Sequence, residues 1–169
     1  MTIDYTIREI RDSEYEILQD FLYEAIFVPE GMNPPDRSIL AAPELQVYTE
    51  HFGEKPEDHC LLAEAGGKIA GAVWARIMND YGHIDDETPS LAVSLYPEYR
   101  GQGIGTGLMK AMLSLLREKG YKRASLSVQK ANYAVKMYAA LGFEVIRESE
   151  EEYIMVCDLQ HEDRQKPGK

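Results

Sequence analysis

The sequence predicts a mixed α/β (α+β) domain in which about four helices flank one central sheet of about seven strands. Three observations carry that expectation. Apolar residues alternate or run together over seven short segments and recur every three to four residues over four others, the periodicities of strands and helices. The junction Ala65-Gly66-Gly67-Lys68 reads as a tight hairpin, which makes the first half of the sheet antiparallel. In the second half, helix-patterned stretches stand between strand-patterned ones, and such crossovers join parallel strands. The 169 residues suit one domain, expected over 1–160, since compact domains hold roughly 100–200 residues.

Taken in order, Ile3, Tyr5 and Ile7 alternate with polar neighbours across 2–10, a strand pattern. Asp12 then reads as a helix N-cap, ahead of Ile17, Leu18, Phe21, Leu22, Ala25 and Ile26 at helical spacing. Residues 28–43 hold five prolines and glycines (Pro29, Gly31, Pro34, Pro35, Pro43) and read as loop with room for one short helical turn. A second, short helix is expected over 44–52. Residues 60–64 and 69–78 form the hairpin strands, because a tight primed turn needs the positive φ that Gly66 and Gly67 supply. Residues 79–89 are a polar, acidic loop. The nearly continuous apolar run 90–96 (SLAVSLY) predicts a strand buried on both faces.

Leu108, Ala111, Met112, Leu115 and Leu116 make a helix stripe over 105–119, stopped by Gly120. A strand over 123–128 follows, then a helix over 133–141 ended by Gly142, and two last strands over 143–149 and 153–159. The tail 161–169 (HEDRQKPGK) is polar and is expected to be disordered.

The net charge of −11 comes from 18 basic and 29 acidic residues. An acidic surface repels phosphate backbones, so nucleic acid is not the expected partner; an amine-bearing one is favoured. No apolar run reaches the ~20 residues of a membrane helix, and the N-terminus lacks an apolar signal core. A cytoplasmic protein with no membrane partner is expected, and a homodimer is left open. Cys60 and Cys157 lie in apolar segments and read as buried free thiols. His51, His59, His83 and His161 are scattered, no His/Cys cluster has metal spacing, and no metal is expected.

The strongest chemical signal is Arg100-Gly101-Gln102-Gly103-Ile104-Gly105-Thr106-Gly107, between an apolar strand and an amphipathic helix. Glycines let backbone N–H groups turn toward a ligand, and the helix start adds free donors and a positive dipole end. A diphosphate is the natural guest. The dinucleotide fingerprint needs glycines at offsets 0, 2 and 5, but the third place is Thr106 counted from Gly101 and Leu108 counted from Gly103. The nucleotide-hydrolase loop needs Gly-Lys-Ser/Thr, and no lysine is present.

Arg100, Gly103 and Gly105 instead fit Arg-x-x-Gly-x-Gly. Preceded by Leu95-Tyr96-Pro97, this block resembles the acyl-CoA signature of the GNAT superfamily of N-acyltransferases. The block from Asn132 to Phe143 (NYAVKMYAALGF), with Tyr138 and Gly142-Phe143, resembles that family's second hallmark, and the element order matches from residue 2 to about 159. The resemblance implies a mostly antiparallel mixed sheet and acetyl-CoA as acyl donor. It places the diphosphate on the amides around Gly101, Gln102, Gly103, Ile104, Gly105 and Thr106, with Arg100 adding charge. It makes the Leu95 backbone N–H the donor to the thioester carbonyl, and the Tyr138 phenol the partner of the departing sulfur. Asn132 contacts the cofactor, besides serving as a natural N-cap on its own chemistry.

The expected activity is transfer of an acetyl group to a primary amine of a small molecule or peptide, by direct attack in a ternary complex. Neither cysteine falls in the motifs, so no covalent cysteine intermediate is implied. An alkylammonium near pKa 10.4 must lose a proton before attack, at a cost of about 4–5 kcal/mol at neutral pH. His83, Asp85, Asp86 and Glu87, in the acidic loop, are the candidate acceptor-binding groups, and no single base stands out. Two rivals stay open: an acyl-CoA-binding sensor without turnover, and an interaction module on the same fold.

Overall fold

The computed structural model describes residues 3–160; the tail expected to be disordered lies outside the described residues. Seven strands form one sheet: β1 (Thr6–Glu9), β2 (His59–Ala65), β3 (Lys68–Arg76), β4 (Ser90–Leu95), β5 (Arg123–Gln129), β6 (Phe143–Glu148) and β7 (Glu152–Asp158). Their spatial order is β1-β2-β3-β4-β5-β7-β6. Every neighbouring pair is antiparallel except β4 with β5. Four helices complete the fold: α1 (Ile17–Ala25), α2 (Pro43–Gln46), α3 (Ile104–Glu118) and α4 (Ala134–Ala140). Gly66 and Gly67, at φ +60° and +81°, close the β2–β3 hairpin as the sequence predicts.

Alternation along β2 and β3 divides the core between two faces. Leu61, Ala63, Val73 and Ala75 pack with Leu108, Met112 and Leu116 of α3. Cys60, Leu62, Ala72 and Trp74 pack with Leu18, Phe21 and Leu22 of α1. Cys157 belongs to the first face and Cys60 to the second, and both are free and buried. No described helix is long and apolar enough to cross a membrane.

Three local expectations are corrected. Asp12 does not cap α1: it opens a short 3-10 turn (Asp12–Glu14) and its carboxylate accepts from the Tyr15 hydroxyl at 3.1 Å. Glu14 Oε1 instead accepts from Arg11 N at 2.8 Å, and α1 starts four residues later than that turn's cap region suggests, at Ile17. The helix expected over 44–52 stops at Gln46, because β3 takes its carbonyls. Arg76 Nη1 donates to Val47 O and Glu50 O at 3.1 and 2.9 Å, and Trp74 Nε1 donates to Tyr48 O at 2.9 Å. Finally, β4 is not buried on both faces; only Ser90 and Leu91 are buried, and Ala92 to Leu95 are half-exposed. The cause is topological. β4 and β5 share a single registered pair, Ser90↔Ser125, and then diverge.

Candidate active site

The divergence leaves a wedge in the middle of the sheet, and backbone alternation says what lines it. Tyr96 N donates to Ala70 O at 3.0 Å, so even-numbered β4 residues turn their amides toward β3. Pro89 O accepts from Ser125 N at 3.0 Å, so odd-numbered ones turn toward β5. The amides of Val93 and Leu95 therefore face the wedge, where no strand meets them. The Leu95 side chain lies across Gly71, its partner on β3, where any Cβ would collide with it.

At the open end of β4 a 3-10 turn (Pro97–Tyr99) leads into the glycine loop. Gly101 and Gly103 adopt φ +77° and +86°, a region that strains any other residue. Gly103 caps α3 without a side chain, leaving the first helical N–H groups unclaimed by one. These residues border a cavity of about 810 Å³ that runs from Gly101, Gly103, Gly105 and Thr106 along Leu95 to Tyr138. Gly105 has space on this side: a Cβ there would approach nothing closer than Leu95 Cδ1 at 3.9 Å.

Not every predicted loop residue points into that cavity. The Ile104 side chain is fully buried beneath the helix. Gln102 turns its amide to Glu98 O at 3.4 Å. Arg100 borders the cavity, yet its guanidinium is engaged: Nε donates to Leu95 O at 3.2 Å, and Nη2 pairs with Glu24 Oε1 at 2.8 Å. It ties the loop to the end of α1.

Across the wedge, Asn132 Oδ1 accepts from Ala134 N at 2.9 Å, but the helix N-cap is Tyr133, one residue later than the sequence predicts, and it makes no side-chain cap bond. Tyr138 of α4 borders the cavity, with its ring edge-on to Phe143 at 6.0 Å. Burial pushes the Tyr138 phenol up to about 12. A second cavity, of about 270 Å³, lies on the α1 side of the sheet. The two share Val93, Asn132, Tyr138 and residues 25–27, so they meet inside the wedge.

The second cavity holds polar groups that sequence reasoning missed. Tyr48 and Ser127 border it, as does Glu152, which accepts from Gln129 Nε2 at 3.1 Å. Near Tyr48 sits Asp80, whose negative charge acts on the Tyr48 phenol and whose carboxylate accepts from Ser90 Oγ at 2.9 Å. Burial raises the Asp80 carboxyl above its ordinary range. A signal for part of this set was present: Ser125, Ser127 and Gln129 alternate with apolar residues along β5, a polar stripe on one face.

His83, Asp85, Asp86 and Glu87 border neither cavity. They gather where β4 and β5 begin, away from the wedge's open end. Asp85 pairs with Arg123, and the bond from Glu87 N holds its carboxyl below the usual range. His83 Nε2 lies 3.5 Å from Asp86.

The model of the acetyltransferase (GNAT) family matches residues 13–143, well over half of the chain. The chain belongs to this family. Among its GNAT relatives, "Mycothiol acetyltransferase" of Thermobifida fusca (strain YX) is 30% identical over 116 residues, 66% of this chain and 36% of that protein. The "Putative [ribosomal protein bS18]-alanine N-acetyltransferase" of Bacillus subtilis (strain 168) is 32% identical over 92 residues, 54% of this chain and 57% of that protein. The chain thus spans less than two thirds of the length of either. In fold it is similar to the PaiA N-acetyltransferase of Thermoplasma acidophilum, solved in complex with coenzyme A. That likeness has a TM-score of 0.65 at 19% identity and covers 92% of this chain and 99% of the other.

Proposed function

We propose that this chain, with residues 1–160 acting as one domain, transfers the acetyl group of acetyl-CoA to a primary amine by direct attack in a ternary complex. The observation that carries this reading is the meeting of two cavities in the β4–β5 wedge. One starts at a glycine cradle suited to a diphosphate, and the other continues from the shared residues toward Tyr48 and Leu126. A donor in the first and an acceptor in the second would touch beside Val93, Asn132 and Tyr138, which turns a bimolecular encounter into an effectively intramolecular one.

The glycine loop fits the donor: two positive-φ glycines aim amides outward, and Gly105 leaves open the space that a side chain would fill. The wedge-facing amides of Val93 and Leu95 pair with an extended pantetheine as a strand would. Leu95 N–H donates to the thioester oxygen, an interaction that strengthens as that oxygen gains charge. Asn132 borders the same channel. Arg100 acts on the donor indirectly, by fixing the loop against Glu24. Tyr138 donates a hydrogen bond to the sulfur as it leaves. The GNAT relatives named above support the acyl chemistry, and the name of the second specifies an alanine N-acetyltransferase, an amine acceptor.

Calorimetric titration with CoA tests this reading. The wild-type chain binds CoA, and Gly105→Val binds at least about tenfold more weakly at an unchanged melting temperature. A wild-type chain that ignores CoA, or a folded variant that binds it equally well, refutes it.

A further inference from the structure

We infer that the acceptor is a primary amine on a compact apolar body, and that its proton leaves to Asp80 through the Tyr48 hydroxyl. The inference rests on the acetyl-transfer reading above.

Size and wall chemistry define the acceptor. The chamber of about 270 Å³ lies below the roughly 300–1,000 Å³ of ordinary small-molecule sites. Leu22, Ile26, Phe27 and Leu45 make one side apolar. Polar groups converge at the other: Tyr48 and Ser127, with Glu152 at the rim. A chamber of that size and polarity suits an aralkyl or short alkyl amine whose nitrogen sits at the polar end. The carboxylates of Asp80 and Glu152 favour a cation there on arrival.

Tyr48 is placed with unusual firmness for a residue outside regular structure. Trp74 holds its carbonyl, and Arg76 holds the carbonyls of Val47 and Glu50 on either side. Arg76 is itself fixed by Asp58 at 3.0 Å. The backbone of Tyr48 is thereby fixed, with Tyr48 bordering the chamber and its phenol within electrostatic reach of Asp80. On the far side, Ser90 Oγ and the Gly82 amide bond the Asp80 carboxylate, keeping it in place. Gly82 lets the loop come this close, because a Cβ there would press on the backbone of Leu126 and Ser127 at 3.0 Å.

The step balances without a further reactant. The arriving ammonium first gives its excess proton to the Tyr48 oxygen while Tyr48's own proton moves to Asp80; the freed lone pair then bonds to the thioester carbon, and the second nitrogen proton passes to solvent water. The C–S bond then breaks and CoA leaves as thiolate, with Tyr138 donating to it. Asp80 later returns its proton to water. Burial holds the Tyr48 phenol well above its ordinary value, so it relays as a neutral hydroxyl rather than as a phenolate. The raised Asp80 carboxyl is a stronger base than an exposed aspartate. Of the other titratable groups, Tyr81 on the same loop acts on the Tyr48 phenol, Glu44 on α2 and Glu152 on β7 act on Tyr81, and Arg76 on β3 holds the neighbouring Val47 carbonyl. Asp80 acts through Tyr48 and is a positioning and proton-holding residue.

The test uses phenethylamine as acceptor, a tripeptide amide as bulky comparator, and two readouts. Trp74, the single tryptophan, is bonded to Tyr48, so its fluorescence reports occupancy of the chamber without turnover. Release of CoA thiol reports turnover between pH 6.5 and 10. With CoA present, phenethylamine gives a saturable fluorescence change and is acetylated faster than the tripeptide. Asp80→Asn and Tyr48→Phe each lower kcat/KM about 10²-fold at pH 7, and the deficit closes as pH nears the amine's own pKa of about 10. Asp80→Glu recovers part of the rate. CoA binding without any phenethylamine signal, preference for the tripeptide, amine binding without acetylation, or a deficit equal at every pH overturns the inference. Failure to bind CoA at all refutes the acetyl-transfer reading instead.

Discussion

Replacing Tyr138 by Phe removes one oxygen and keeps the ring against Phe143, so its kinetic effect isolates the phenol. The size of that effect follows from burial. A phenol pushed up to about 12 lies about 3.5 pKa units above a thiol near 8.5, so full proton transfer to the thiolate is uphill by about 5 kcal/mol. Donation of a hydrogen bond without transfer is the lower route. A bond to a charged partner contributes about 1.5–3 kcal/mol, which corresponds to a fall in kcat of about 10- to 150-fold. Acetyl-CoA affinity changes far less, because the bond strengthens only as the thioester breaks. Steady-state kinetics from pH 7 to 10, beside thermal melts, measure both. A proton donor at about 12 also leaves no alkaline limb of its own below pH 10. A variant within threefold of wild-type kcat, or a wild-type limb near pH 8 that the variant lacks, refutes the reasoning.

Two further expectations concern stability. Asp58→Asn leaves the Arg76 guanidinium buried without its carboxylate, a loss of about 3–5 kcal/mol, or a Tm lowered by about 6–20 °C in a melt at pH 7. Glu14 accepts two bonds from Arg8, at 2.9 and 2.7 Å, which hold its carboxyl down from an ordinary 4.5 to about 2. A depressed folded-state value stabilises above the unfolded one, so this contribution is complete above about pH 5 and disappears as pH falls from 4.5 toward 2. The Tm difference between wild type and Glu14→Gln is flat at neutral pH and shrinks across that window; a difference that grows on acidification contradicts the assignment.

Features set by local chemistry were legible in the sequence. Gly66-Gly67 announces its hairpin, and the alternate glycines from Gly101 announce a turn that needs positive φ at Gly101 and Gly103. What escaped depends on contacts far apart in the chain. The short α2 follows from Trp74 and Arg76, nearly thirty positions away, claiming the carbonyls that would have continued it. The half-exposure of β4 follows from its divergence from β5, which no apolar run encodes. The polar lining of the second cavity was hardest to see. His83 to Glu87 form the denser acidic cluster, whereas Asp80, a few residues earlier, is the carboxylate that the packing of Gly82 on β5 brings behind the chamber.

The single Ser90↔Ser125 pair has a thermodynamic corollary. Along most of their length, the β1–β4 and β5–β7 halves of the sheet are joined by no ladder of their own, and a donor lying against Val93 and Leu95 would supply the missing rungs. A molecule that binds only the folded chain adds RT ln(1 + [L]/Kd), about 2.7 kcal/mol at a hundredfold excess over Kd. The gain should be felt unevenly: amide hydrogen exchange at the open ends of β4 and β5 would slow most on CoA addition, while the continuously paired β2–β3 hairpin changes little. The acyl donor, on this view, doubles as an interior strand.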